Sequence, residues 1–226
     1  MIVYDEILQG SREWWALRLG RPTVSRFGRI LQPTRLKYST AAQAFAAELI
    51  AEKMLGRPVD DREVDTIWTR RGSEEEADAR KWYSFYRDVE VTEVGFVLTD
   101  DEKVGGSPDG LVCDDGGVEI KCRSAKKHMA CVLGIEPIAD LLQVQGYLWL
   151  TGRKWWDVVA FSSELPKRIQ RRYPVPAVQE AMTEYIAQFL SEMQTAEEAL
   201  AKRGDVLEDE EVLMGQLIES LGGDPI

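Results

Sequence analysis

The chain has 226 residues, 44% of them hydrophobic, and a net charge of −11. That length suits one domain, or one domain with a modest appendage, and the composition supports a sizeable core and excludes wholesale disorder. No apolar run approaches the roughly 18 residues of a transmembrane helix, and Met1–Glu6 lacks the basic-then-apolar pattern of a secretory signal.

Three cysteines (Cys113, Cys122 and Cys131) form no CxxC pair, which argues against a disulfide framework, a structural zinc site or a four-cysteine iron–sulphur cluster. A reducing cytoplasm is expected. His128 is the one histidine, so a His-rich metal centre is excluded. With 39 Asp plus Glu, any catalytic cation is expected to be hard, Mg²⁺ with Mn²⁺ as a substitute.

The charge is unevenly spread. Residues 176–226 hold 12 acidic and 2 basic side chains, for −10, while residues 1–175 hold 27 acidic and 26 basic, for −1. Residues 12–37 carry seven basic side chains against Glu13 alone. A local basic surface can bind phosphate on an acidic molecule.

In chain order, Trp14–Gly20 reads as a short helix closed by Gly20. Thr23-Val24-Ser25 offers caps for a second helix holding Phe27, Ile30 and Leu31. Residues 40–55 show a helical apolar stripe, with Ser39 or Thr40 as cap and Gly56 and Pro58 at the end. A long helix covers roughly 73–87, and Val89–Leu98 alternates as a strand. Asp109–Cys113, the turn 114–117 and Val118–Cys122 read as a hairpin. A helix follows over 136–151, strands over 154–162 and Ile169–Val175, and a long helix over 177–202. The tail 205–226 reads as an acidic cap on a short amphipathic helix, packed on its own domain or against a partner. Together these make an α/β (α+β) arrangement with a central mixed β-sheet flanked by helices. One domain over 1–226 is expected, with 176–226 as an acidic helical C-terminal appendage.

The chemistry lies in Gly106-Ser107-Pro108-Asp109-Gly110-Leu111 and Val118-Glu119-Ile120-Lys121-Cys122. Strand alternation puts Glu119 and Lys121 on one face and Val118 and Ile120 on the other. If the hairpin closes through 114–117, Cys113 pairs near Val118 and Asp109 lies near Lys121 and Cys122. Adjacent carboxylates repel unless a cation neutralises them, and Mg²⁺ accepts such oxygens, with the Ile120 carbonyl as a further ligand. A metal lowers the pKa of bound water, and a neighbouring lysine can orient that water or help to deprotonate it. These parts suit phosphodiester hydrolysis.

Ser107-Pro108-Asp109-Gly110 followed by Glu119-Ile120-Lys121-Cys122 resembles the PD-(D/E)XK core of the phage lambda exonuclease (YqaJ) family of viral recombination nucleases. Trp14-Trp15-Ala16-Leu17-Arg18-Leu19-Gly20 with Thr23-Val24-Ser25 is similar to the family's N-terminal motif, Arg71–Ala79 to its G-x-x-x-E helix, and Gln143-Val144-Gln145-Gly146-Tyr147 to its glutamine helix. Trp15 departs from the pattern, and no role is carried over to it.

The resemblance implies a restriction-endonuclease-like core and 5′-to-3′ digestion of one strand at double-stranded DNA ends, leaving 3′ single-stranded tails for annealing. It also implies a ring-shaped homotrimer, a single-strand annealing protein as partner, and a phage or prophage origin in a bacterial host. Asp109 and Glu119 would then bind metal, Lys121 would handle the nucleophile, and Glu76 would assist the metal, through water or directly. Arg18, Ser25 and Ser107 would hold the 5′-phosphate, and Gln145 would contact the scissile region.

Competing readings stay open. Ser73–Glu76 also fits a capping box, Ser25 a simple helix cap, and Arg18 a solvated helix position. Most tryptophans suit a core, with Trp68 the best candidate for base stacking. Lys126, Lys127, His128, Lys167, Arg168, Arg171 and Arg172 suit either solvated faces or a DNA track. Alternative functions are another PD-(D/E)XK nuclease (an endonuclease or a RecB-like module) and a catalytically silent scaffold at DNA ends.

Overall fold

The structure, a computed structural model, describes residues 1–59 and 67–203, with the side chains of 67–74 and 203 excepted. Its centre is a five-stranded mixed sheet in the order β10-β9-β8-β7-β4. The middle pair, β8 (Gly116–Cys122) and β9 (Trp155–Phe161), runs parallel, with Glu119 opposite Val158 and Lys121 opposite Ala160. A parallel pair needs a long crossover, and here α4 (Ala125–Val132) and α5 (Ile138–Thr151) supply it. β7 (Gly110–Val112), β4 (Val91–Thr92) and β10 (Arg168–Arg172) join antiparallel.

Alternation along β8 and β9 builds two cores. Val118, Ile120, Val159 and Phe161 face Ala79 and Tyr83 of α3 (Ile67–Arg87). Trp156 and Val158 face the other way, where α5, α2 (Ala42–Leu55), α6 (Pro176–Arg203) and the 3-10 helix Val24–Arg29 pack. Tyr147 of α5 stacks on Trp156 at 5.1 Å between ring centroids. Helices therefore cover both faces of a mixed sheet, as the hydrophobic pattern requires. α6 gives Met182, Ile186 and Phe189 to the larger core, so residues 176–203 are built into the fold rather than hung from it.

Smaller elements complete the chain: a sheet of β1 (Ile2–Tyr4), β5 (Phe96–Leu98) and β6 (Gly105–Gly106), the pair β2 (Leu31–Gln32) and β3 (Lys37–Tyr38), and α1 (Arg12–Arg18). Among the described residues, no helix is long and apolar enough to cross a membrane.

Several expected boundaries move. The hairpin turn is Cys113–Asp115, shorter than 114–117, and Gly110 pairs with Val118. Gly116 and Gly117 belong to the strand because a Cβ would lie 2.0 and 2.4 Å from the rings of Trp155 and Trp156. Cys113 turns the chain with φ of 47°. This register sets Asp109 beside Glu119 rather than beside Lys121 and Cys122. The expected strand Val89–Leu98 splits into β4 and β5, which join different sheets. Gly95 sits at the break, with its N–H on the Tyr4 carbonyl and no room for a Cβ against Ile7.

The expected second helix is a 3-10 turn that leaves Leu31 to β2. α3 starts at Ile67, so Ser73 lies inside it and the Ser73–Glu76 capping box marks no helix start. The final strand runs Arg168–Arg172 instead of Ile169–Val175. α4 was not expected; it buries His128, whose Nε2 lies 2.8 Å from the Pro166 carbonyl, so His128 is no solvated face. Trp156 is fully buried as a core residue, whereas Trp14, Trp82, Trp149 and Trp155 are half-buried. The Trp68 side chain and the tail 205–226 lie outside the described residues.

Candidate active site

β8 carries the centre. Glu119 is 3% exposed, and with Lys121 it faces α5, as strand alternation requires. Lys121 Nζ donates to Glu119 Oε1 at 2.6 Å and to Gln143 Oε1 on α5 at 3.0 Å. Glu119 Oε2 is buried without a hydrogen-bond partner. Asp109 reaches β8 from the loop before β7, and its Oδ2 accepts the Ile120 N–H at 2.6 Å. Glu76 comes from α3 and pairs through Oε1 with Arg80 at 2.7 Å. Arg80 also donates to the Asp109 carbonyl at 2.9 Å.

The electrostatics follow from this crowding. Burial, then the Glu119 and Glu76 carboxylates, push Asp109 well above the ordinary carboxylate range. Burial raises Glu119 and Glu76 too, against the pull of Lys121 and Arg80 respectively. Burial alone would discharge Lys121, yet Glu119 and Asp109 hold its ammonium above its usual value. Next to it, burial lifts the Cys122 thiol to about 12, which makes it a small inert hydrophobe rather than a nucleophile.

Three repelling carboxylates and an orphaned buried oxygen are what a hard cation would relieve. Among the described residues, no three His, Cys, Asp or Glu side chains form a ready metal cage. Magnesium does not need one, because it keeps several waters and takes one or two carboxylates. Asp109, Glu119 and the Ile120 carbonyl are donors that fit that demand.

Two of the residues expected to hold phosphate, Ser107 on the loop before β7 and Arg18 on α1, meet through Trp14. Trp14 Nε1–H donates to Ser107 Oγ at 2.7 Å, and the Arg18 guanidinium lies over the Trp14 ring at 4.4 Å from its centroid. Exposed Ser25 rides on the 3-10 helix, tied to the same loop by the Thr23–Gly105 bridge and the Gly105 N–H to Pro22 carbonyl bond. Tyr147 O–H holds the Ser107 carbonyl at 2.7 Å.

Gln145 is not brought to the centre. Buried, it bonds the Tyr173 carbonyl, the Val175 N–H and Gln179. The glutamine at the centre is Gln143, two residues earlier and about 200° round the helix. The polar residue that an amphipathic helix points at a charged strand was the available signal.

Much of the basic run is also committed elsewhere. Arg26 and Arg29 pair with Glu48 over the Phe45 ring, and Arg21 caps the carbonyls of Leu17 and Glu102. Arg168 and Arg172 pair with Glu136, and Arg171 pairs with Asp157.

The likenesses to known proteins agree with this geometry. Among curated proteins, none matches the chain in sequence. An alkaline exonuclease (LHK-Exo) from Laribacter hongkongensis shares the structure with a TM-score of 0.70 and 29% identity, over 86% of this chain and 100% of that chain. LHK-Exo in complex with dAMP matches equally well. A phage-related exonuclease from Haemophilus somnus 129PT shares the fold, with a TM-score of 0.52 and 15% identity, over 76% of this chain and 96% of that chain. The core is thus of the PD-(D/E)XK exonuclease type. Residues 13–154 match the YqaJ-like viral recombinase domain, a span that includes Glu76, Asp109, Glu119, Lys121 and Gln143. The chain belongs to the YqaJ-like viral recombinase family.

Proposed function

We propose that this chain is a magnesium-dependent exonuclease that digests one strand of duplex DNA from its 5′ end and leaves a 3′ single-stranded tail for strand annealing. The observation that carries the reading is the buried Glu119, with one oxygen on Lys121 and the other unpartnered, beside an Asp109 that is strongly biased against ionising alone.

Asp109, Glu119 and the Ile120 carbonyl would hold Mg²⁺, or Mn²⁺ in its place. When bound, the cation neutralises the carboxylates and the scissile phosphate and lowers the pKa of a water. Lys121, an ammonium beside the bare carboxylates, would orient the attacking water or help to remove its proton. Gln143 fixes the direction of that ammonium. Water oxygen bonds to phosphorus and the P–O3′ bond breaks, with the proton delivered to the leaving 3′ oxygen through solvent.

Ser107 and Asp109 are two residues apart, at most about 7 Å of extended chain. An end phosphate held by Arg18, Ser25 and Ser107 would therefore leave the next phosphodiester at Asp109. That spacing favours mononucleotide release, and the complex of LHK-Exo with dAMP supports a deoxynucleoside monophosphate product. A homotrimeric ring, an annealing-protein partner, a single domain over 1–226 and action in the cytoplasm of a bacterial host accompany this reading by family resemblance.

Linear duplex labelled on each strand, incubated with and without Mg²⁺ and compared with covalently closed duplex, tests it. We expect Mg²⁺-dependent mononucleotide release from the 5′-terminal strand of linear DNA alone. Cleavage of closed circles, or release without a divalent cation, overturns it.

A further inference from the structure

Arg80 has no part in the family motifs described above, yet it bonds both the Asp109 backbone and the Glu76 carboxylate. Its Nε–H donates to the Asp109 carbonyl at 2.9 Å, Nη2 pairs with Glu76 Oε1 at 2.7 Å, and Nη1 pairs with Glu93 Oε2 at 2.8 Å. Three separate elements meet on one guanidinium: α3, the loop before β7, and the loop between β4 and β5.

We propose that Arg80 is the positioning residue of the metal site, setting the Asp109 backbone and the Glu76 carboxylate for the cation without touching metal or DNA. The inference rests on the metal-dependent nuclease reading above.

The argument is geometric. One turn of helix places Arg80 beside Glu76. A guanidinium offers donors in a rigid planar fork, so three acceptors held at once fix one another's directions; a lysine ammonium cannot reproduce that plane. An ordinary surface ion pair contributes little, but Arg80 has a side chain only 14% exposed and bonds a backbone carbonyl.

The partners also need holding. Glu76, Asp109 and Glu119 repel one another, and without a tether Glu76 would swing to solvent and the Asp109 peptide would reorient. Because Arg80 takes Oε1, Glu76 has Oε2 left outside that pair for the site. This suits an outer, water-mediated role toward the cation, while Asp109 Oδ2 stays on the Ile120 N–H.

The test compares the full-length protein with Arg80→Gln and Arg80→Lys. Titration calorimetry with Mg²⁺ or Mn²⁺ alone gives the metal affinity. The metal concentration for half-maximal digestion and the thermal midpoint are measured beside it. Outer-shell partners are worth about 10–100-fold in metal affinity. We expect Arg80→Gln to weaken metal binding by at least about tenfold on that scale, with half-saturation of activity rising in parallel and partial recovery in Arg80→Lys. A purely structural role lowers the thermal midpoint and leaves the affinity of the folded protein unchanged; unchanged affinity overturns the proposal. Should Arg80→Gln not fold, Arg80→Lys is judged alone, and wild-type affinity in it is equally fatal. Wild-type protein that neither binds nor requires a divalent cation sinks the nuclease reading itself, a different result from intact binding in the variants.

Discussion

The Asp109 carboxylate accepts the Ile120 backbone N–H at 2.6 Å, which ties the loop before β7 to the strand bearing Glu119 and Lys121. This bond sets the two carboxylates beside each other, and it persists with any side chain that offers an acceptor oxygen. It follows that charge and geometry at this position can be separated by substitution.

Asp109→Asn keeps an acceptor and removes the charge. Asp109 has a raised folded pKa, so its ionised form costs stability above the ordinary carboxylate range. The neutral variant should melt higher than the wild type in chelator, by roughly 2–4 °C for each kcal/mol regained. Digestion should fall by about a thousandfold or more, while DNA binding persists. Scanning calorimetry and a nucleotide-release assay check both halves; a lower metal-free midpoint contradicts the electrostatic account.

The two glutamines of α5 should separate function from stability. Gln143→Ala leaves the Lys121 ammonium on Glu119 alone, and we expect turnover to drop about 10–100-fold with little change in melting. Gln145→Ala strands the Val175 N–H and Gln179 and should cost about 1–3 kcal/mol in urea unfolding with folded-state turnover retained. The reverse pattern assigns the catalytic glutamine to Gln145.

End recognition is testable on 5′-phosphoryl against 5′-hydroxyl duplex. We expect a preference of about tenfold or more, on the scale of the 1.5–3 kcal/mol of charged hydrogen bonds, and its collapse in Arg18→Ala and in Ser25→Ala combined with Ser107→Ala. Equal rates in the wild type remove the phosphate pocket.

Asp157 gives a pH prediction away from the catalytic centre. It is fully buried on β9 and accepts bonds from Tyr83 O–H, Arg87 and Arg171. Burial raises its pKa, but Arg171 and Tyr83 outweigh it, and the folded value lies below the ordinary one. Such a group stabilises fully above an unfolded pKa of about 4, and its contribution fades as pH drops through the depressed folded value. Asp157→Ala should cost about 3 kcal/mol or more at pH 7 and show a flatter loss of stability below about pH 4. Urea unfolding across pH 2–7, on the scale set by that carboxylate value, decides it.

Gly117→Ala tests the register. Its Cβ would stand 2.4 Å from the Trp156 ring, whose other face stacks on Tyr147. Overpacking of this kind costs about 1–3 kcal/mol. A neutral effect means that the strand does not lie under that ring.

Much of the centre was legible in the chain because it depends on short-range rules. Strand alternation alone puts Glu119 and Lys121 on one face and Val118 and Ile120 on the other. Helical periodicity marked α2, and the helices expected over 136–151 and 177–202 are α5 and α6. Gly56 and Gly152 ended helices as expected, both in the left-handed region where a Cβ is unwelcome.

Tertiary structure decided what depends on residues far apart. The rings of Trp155 and Trp156, arriving from β9, drew Gly116 and Gly117 into β8 and moved Asp109 opposite Glu119. Contact with Ile7 and Tyr4 split one expected strand at Gly95. Glu48 and Glu136 neutralised arginines that look like a phosphate track in the linear order. The side-chain types and local pattern of the centre are properties of the chain, because they follow from neighbouring residues. Which carboxylates meet, which glutamine lies beside them and which arginines are neutralised are set by packing between distant elements, where steric fit and desolvation outweigh local preference.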